Sequence, residues 1–232
     1  MKAILLAAGL GTRLLPITRD KPKCLVTIGG KPMLQYWLTA FRKHGIQDIL
    51  INVHHLAEQV VDFLAAQDST LNITIFHETE LLGSAGTVLA NRQWLAGEEE
   101  FLIAYADNLT NVNLRSMIDF HTRQRPVATI GLFESDRPKE CGVVEMDGNG
   151  TILSFVEKSA NPPSRLANAG VYVGTPGLLD WIPDKCPADF GFDVFPKMSG
   201  LLKGYVIHDY FQDVGDPDRY WRAQQDIETI KF

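Results

Sequence analysis

The residues best suited to chemistry crowd the start of the chain. An apolar run, Ala3-Ile4-Leu5-Leu6-Ala7-Ala8, stops at Gly9, and Gly11, Thr12, Arg13, Pro16, Pro22 and Lys23 follow. Glycines let a backbone approach a ligand closely and adopt positive φ. Consecutive N–H groups in such a loop make an anion-binding nest. Arg13 and Lys23 bring two positive charges to this loop by different routes, so the expected ligand is a phosphate. Asp107 closes the apolar run 101–106, and Asp213 stands at the corresponding place after a late strand. Ligands of open α/β sheets bind at such strand ends, although a strand-end aspartate taken alone reads as a helix cap or turn residue. The chain shows no Ser-His-Asp or Cys-His arrangement. His54 and His55 are neighbours on a strand, face opposite sides and have no third ligand at useful spacing.

These residues need elements to hold them. Lys31-Pro32 opens a helix in which Met33, Trp37, Leu38 and Phe41 recur at helical spacing before Gly45 stops it. A strand over 48–53, a helix over 56–66 and a strand over 72–76 follow. Gly83-Ser84-Ala85-Gly86 precedes a helix through Trp94, and a strand spans 101–106. This alternation predicts a parallel sheet covered on both faces, with apolar rather than alternating strands. The second half reads differently: a strand at 127–133, a hairpin of 142–146 and 151–156 about Asp147-Gly148-Asn149-Gly150, and a strand at 169–174. Helical patterns near 176–182 and 192–202, a strand at 205–208 and a helix over 217–230 complete it. The polar segment 157–168 reads as a loop beside the site.

Hydrophobic residues make up 45% of the 232 residues and charged residues 22%, with a net charge of −6. That balance argues against a general nucleic-acid or membrane-surface binder, so positive charge for binding anions must be local. Cys24, Cys141 and Cys186 are odd in number and widely spaced, as expected of reduced thiols. With no spanning-length apolar run and no signal-peptide cleavage pattern, the expected location is the cytoplasm.

Gly9-Leu10-Gly11 opens a dinucleotide fingerprint but leaves it incomplete, because Leu14 stands where the third glycine would be. A nicotinamide oxidoreductase is therefore disfavoured. The full stretch L-A-A-G-L-G-T-R-L-L-P-I-T-R-D-K-P-K (6–23) instead resembles the signature of the sugar-1-phosphate nucleotidyltransferases, or nucleotide-sugar pyrophosphorylases. Later matches follow in that family's order: E-x-x-x-x-G-S-A-G-T (78–87), D-N (107–108), G-V-V (142–144), V-E-K (156–158), N-A-G-V-Y (168–172) and D-V-G-D-P (213–217). The resemblance implies a Rossmann-like three-layer α/β/α fold, with a mostly parallel central sheet and an inserted hairpin region for the sugar.

The implied reaction is in-line attack of a sugar-1-phosphate oxygen on the α-phosphorus of an NTP, releasing pyrophosphate. The nucleophile is already an anion, so neutralisation and alignment replace a general base. By resemblance, Arg13 and Lys23 are the catalytic cations. Leu6, Ala8, Gly9, Gly11, Thr12, Glu78, Gly83 and Ser84 bind the nucleotide, and Asn108, Gly142, Glu157, Lys158 and Asn168 bind the sugar phosphate. Asp107 and Asp213 hold Mg²⁺, a cation that suits carboxylates with phosphate oxygens and water. Ala106 departs from the glycine usual before the first aspartate. Glu78 accepts hydrogen bonds only and would take guanine N1–H and N2–H₂ together, so the motifs resemble mannose- or heptose-1-phosphate guanylyltransferases most. The same chemistry with UTP or dTTP and a glucose-type phosphate, or a non-catalytic nucleotide or sugar sensor, are the alternatives.

The expected partners are thus an NTP and a sugar-1-phosphate, in the service of a cell-surface glycan. Neither nucleic acid nor membrane is expected, and a homodimer is compatible with the sequence. One catalytic domain is expected over 1–232, its nucleotide part about 1–110 and its sugar-phosphate part about 111–232. No appended left-handed β-helix is expected.

Overall fold

The computed structural model describes residues 1–67 and 70–230; Asp68, Ser69, Lys231 and Phe232, at the edge of the expected domain and helices, lie outside the described residues. The chain forms two compact units. One comprises Lys2–Leu81, Ala104–Asn113 and Asp209–Phe232; the other comprises Met1, Leu82–Ile103 and Leu114–His208.

The first unit is the βαβ arrangement that the alternating pattern predicts. Strand Lys2–Leu6 pairs in parallel with Asp48–Val53, and that strand pairs in parallel with Asn72–His77. Helices Met33–Lys43 and Ala57–Ala65 are the crossovers. Helix Met33–Lys43 turns Met33, Leu34, Trp37, Leu38 and Phe41 inward, the i, i+4 rows of one amphipathic face. It starts at Met33 because Lys31–Pro32 pairs with Thr27–Ile28 in a short ladder. Strand Asn72–His77 departs from the expected apolar pattern. It is the outer strand of the sheet, and most of its residues are exposed.

A short ladder, Asn108–Thr110 against Phe211–Asp213, sets Asp213 opposite Asn108. Beneath it Leu14, Val26, Ile28, Met33, Leu109, Val214 and Ala223 form a buried cluster. That cluster ties the glycine loop, the Asp107 segment and the closing helix Pro217–Asp226 together. At about 25 cal/mol per Å² of apolar surface removed from water, each of its larger side chains contributes about 1.5–3 kcal/mol.

In the second unit, strand Leu166–Gly174 pairs antiparallel with Ala128–Glu134 and, at Ala167↔Val143, with the hairpin Gly142–Met146/Ile152–Glu157. Strand Leu202–Val206 lies parallel to Ala128–Glu134. The helix expected near 192–202 is instead a π turn, Phe190–Val194, followed by a 3₁₀ turn, Phe195–Lys197. Pro196 lacks the N–H that a continuing helix would use, and Gly200 adopts positive φ. The helical pattern at 176–182 is likewise a 3₁₀ turn, Pro176–Trp181. Tyr172, Phe190 and Phe195 pack ring against ring in this core. No helix of the described residues is long and apolar enough to cross a membrane.

Candidate active site

The glycine loop is built from two 3₁₀ turns, Thr12–Leu14 and Lys23–Leu25. Gly11 enters the first at φ 68°, and a Cβ there would lie 2.9 Å from Thr18 Cγ2 and 3.2 Å from Lys23 Cβ. Glycine is therefore required both by conformation and by space. Thr18 Oγ1 donates to the Gly11 carbonyl at 2.8 Å and closes the loop. Leu14 fills the core at the place of the missing third glycine. Gly9 and Thr12 are exposed, Ala8 is buried, and Leu6 ends the first strand, its carbonyl accepting from Ala106 N–H at 2.9 Å.

The two loop cations differ in state. Arg13 is exposed. Lys23 is 7% exposed, and its Nζ lies 2.5 Å from Asp107 Oδ2. Asp213 Oδ2 accepts from Arg219 Nη1 at 2.7 Å, while Arg219 Nε lies 3.6 Å from Asp216 Oδ2. Asp216 caps the closing helix by accepting from Arg219 N–H. Val214 N–H donates to the Asp107 carbonyl, which brings the two aspartate segments together. Burial, and then the neighbouring Asp107 charge, push the Asp213 carboxyl above its usual range; Lys23, Arg219 and Arg13 oppose that rise.

Two mutually repelling carboxylates, each with only one oxygen held by a cation, form an all-oxygen donor set that fits a hard divalent ion. Among the described residues no third Asp, Glu, His or Cys joins them as a metal cluster, so the remaining ligands would have to be substrate oxygens and water. Behind Lys23, burial pushes the Cys24 thiol up to about 12, so it packs and does not react.

Glu78 is no surface residue. It is 3% exposed, and its Oε1 accepts from Asn52 Nδ2 at 2.9 Å. Asn108 lies in the same unit as Asp107, and its carbonyl accepts from Trp37 Nε1.

The second unit gathers Gly142, Glu157 and Lys158 and includes Gly83, Ser84 and Asn168. Glu157 ends its strand half-buried, its Oε2 against Gly142 and Gly191; a Cβ on either glycine would overlap that oxygen. Burial raises the Glu157 carboxyl to about 6, with Lys158 opposing and Asp189 adding to the rise. Lys158 takes φ 49°, which turns its side chain away from the strand's alternation, and Nζ stands 5.5 Å from the centre of the Phe192 ring. Asn168 Oδ1 accepts from Gly170 N–H, and its Nδ2 donates to Tyr172 Oη.

Gly83, at φ 79°, has backbone of Ala188 against its α-carbon, which leaves no room for a side chain. Ser84 Oγ donates to Asp189 Oδ2 and accepts from Phe190 N–H. Asn52, Asp189 and Arg219 hold site residues in place through contacts that motif spacing alone does not show. The signals were available for two of them: Asn52 interrupts an apolar strand, and Arg219 stands at cap-plus-three from Asp216.

The nucleotidyl transferase family model matches residues 2–230. The chain belongs to this family. Among family relatives, it is 33% identical over 221 residues to the mannose-1-phosphate guanylyltransferase catalytic subunit beta of Drosophila melanogaster, covering 93% of the chain and 60% of the relative. It is 34% identical over 243 residues to the UTP–glucose-1-phosphate uridylyltransferase of Synechocystis sp., covering 96% and 62%. The chain thus spans about three fifths of the length of these curated relatives. The crystal structure of HddC from Yersinia pseudotuberculosis complexed with GMP-PN shares the fold at a TM-score of 0.81 and 26% identity, covering 97% of this chain and 99% of that one.

Proposed function

We propose that this chain transfers a nucleoside monophosphate from an NTP to a sugar-1-phosphate, with GTP as the donor. The observation that carries the reading is the pairing of loop cations with strand-end carboxylates: Lys23 on Asp107, Arg219 on Asp213, and Arg13 left exposed. Such an array neutralises and aligns polyanions and contains no nucleophile or general base of its own. A sugar-phosphate oxygen attacks the α-phosphorus, that O–P bond forms, the bond to the bridging oxygen breaks, and pyrophosphate leaves. Arg13 stabilises charge on the leaving oxygens and Lys23 that on the α-phosphate. Asp107 and Asp213 would hold Mg²⁺, which supplies further charge neutralisation when bound. Glu157 accepts sugar hydroxyls, and Lys158 takes the sugar phosphate.

The buried acceptor Glu78 supports guanine as the base. The Synechocystis relative, named for UTP and glucose-1-phosphate, supports a second reading with UTP and a glucose-type acceptor. A pyrophosphate-release panel of GTP, UTP, dTTP, CTP and ATP against mannose-1-phosphate and glucose-1-phosphate tests both. Guanine preference fails if UTP or dTTP wins clearly, and nucleotidyl transfer fails if no pair releases pyrophosphate while nucleotide still binds.

A further inference from the structure

Strand Asp48–Val53 is apolar along its buried stretch except at Asn52, which is 3% exposed. Ala7 N–H donates to Asn52 Oδ1 at 2.6 Å. A backbone N–H can only donate, so the amide orientation is fixed: Oδ1 faces Ala7 and Nδ2 faces Glu78. Nδ2 donates to Glu78 Oε1 at 2.9 Å, which obliges Glu78 to be an acceptor there. The Glu78 backbone is anchored as well, since its N–H donates to the Val53 carbonyl at 2.9 Å and its own carbonyl lies 2.8 Å from His54 Nδ1. One amide thus joins the start of the glycine loop to the carboxylate at 78. An apolar residue would fill position 52 without the cost of burying an amide against a carboxylate.

We infer that Asn52 is a positioning residue for nucleobase discrimination: it sets the Glu78 carboxylate in register with the Ala7–Gly9 backbone. This rests on the nucleotidyl-transfer reading above, in which Glu78 reads the base. Removing the amide withdraws this donor from the carboxylate and releases the Ala7 N–H, so discrimination between bases falls while the sugar-phosphate residues are untouched.

The test compares wild type, Asn52→Leu and Asn52→Asp with GTP and UTP at saturating Mg²⁺ and mannose-1-phosphate, alongside equilibrium titration with fluorescent GTP and UTP. In Asn52→Leu the GTP-to-UTP ratio of kcat/KM moves toward one by about 10-fold or more, the loss of one buried hydrogen-bond partner, while the KM for mannose-1-phosphate stays within about twofold. Asn52→Asp sets two carboxylates against each other, and they cannot both ionise at that separation. One shared proton restores the donor, so its base ratio recovers as pH falls, whereas the wild-type ratio stays flat.

A residue that only supports the fold would lower Tm in both variants and leave the ratio alone, and that result overturns the inference. So does a pH-independent ratio in Asn52→Asp, which also carries the test if the leucine variant does not fold. If wild type releases no pyrophosphate from any substrate pair, the activity reading fails separately. The titrations then decide: a wild-type base preference in binding that Asn52→Asp loses at neutral pH supports the role, and equal preference in both overturns it.

Discussion

Lys23→Met separates the electrostatic reading of the glycine loop from a merely structural one. The Nζ–Oδ2 distance of 2.5 Å corresponds to a gross attraction of about 7 kcal/mol at an effective dielectric of about 20. Desolvating an ammonium on a side chain 8% exposed offsets much of this, and the Asp107 side chain, at 32% exposure, keeps part of its hydration. A net coupling of about 1–3 kcal/mol remains, below the 3–5 kcal/mol typical of breaking a fully buried pair. In a double-mutant cycle with Asp107→Asn, the losses of stability in urea should therefore be non-additive by that amount. Catalysis should suffer more: losing one preorganised donor costs about 3–4 kcal/mol of barrier, about 10²–10³ in kcat. Pyrophosphate release under saturating GTP, mannose-1-phosphate and Mg²⁺ measures it. Wild-type turnover in Lys23→Met would refute the α-phosphate role, and additive stabilities would refute the ion pair.

Arg219→Ala removes the cation that occupies Asp213 Oδ2 and repels a second positive charge, so the midpoint for Mg²⁺ binding without nucleotide should fall about 10-fold, read by metal titration of the free protein. The Glu157 carboxyl, raised by burial to about 6, loses its charge as pH falls through that value, so KM for the sugar phosphate should climb below about pH 6 and Glu157→Gln should remove the inflection. The same shift costs stability above about pH 6, where the folded state holds the carboxylate ionised, and the cost vanishes toward pH 4.5; Glu157→Gln should have the higher Tm at pH 8 and lose that advantage in acid. Gly142→Ala sets a methyl group onto Glu157 Oε2 and should raise KM for the sugar phosphate about 10-fold or more with KM for GTP unchanged, as steady-state kinetics would show. Finally, the affinity for Mn²⁺ used as a magnetic probe should rise at least about 10-fold on adding nucleotide, and nucleotide affinity should rise by the same factor on adding metal.

Much of the architecture of the first unit was legible because it is local. The run Ala3–Ala8, the glycines and the βαβ alternation each carry their own period or punctuation, and the strands and helices form where those patterns place them. The positions of Asp107 and Asp213 at strand ends followed from the same reading. What sequence did not convey was partnership across the chain. Lys23 and Asp107 are 84 residues apart, and nothing in either segment shows that the lysine lies buried against that carboxylate. Glu78 reads in the sequence only as an acceptor for the base; its bond to Asn52 depends on the register of two parallel strands. The π turn at Phe190–Val194 was missed because helical spacing of apolar residues survives in a segment whose proline and glycines forbid a helix. Its backbone, at Gly191, then forms one wall of the Glu157 cradle, a role that spacing cannot reveal.

If the proposed function holds, the charges around Asp107 and Asp213 make nucleotide and metal depend on each other. Lys23 answers Asp107 and Arg219 answers Asp213, so each carboxylate is already paired before any ligand arrives. A divalent ion alone would meet two carboxylates whose negative charge is largely spent, and it would meet the repulsion of both cations. A triphosphate alone would find Lys23 and Arg219 already held by the carboxylates and would meet Arg13 as an exposed cation. Together the requirements reverse. On the proposed function, phosphate oxygens would draw on the lysine and loosen its hold on Asp107, and the freed carboxylate oxygens with those of the phosphates would complete the oxygen set a hard cation needs. The ion pairs thus hold the half-buried carboxylates in place, at less cost than leaving them uncompensated. They would also make the cluster discriminate against either ligand by itself, the physical basis for the reciprocal coupling predicted between nucleotide and metal.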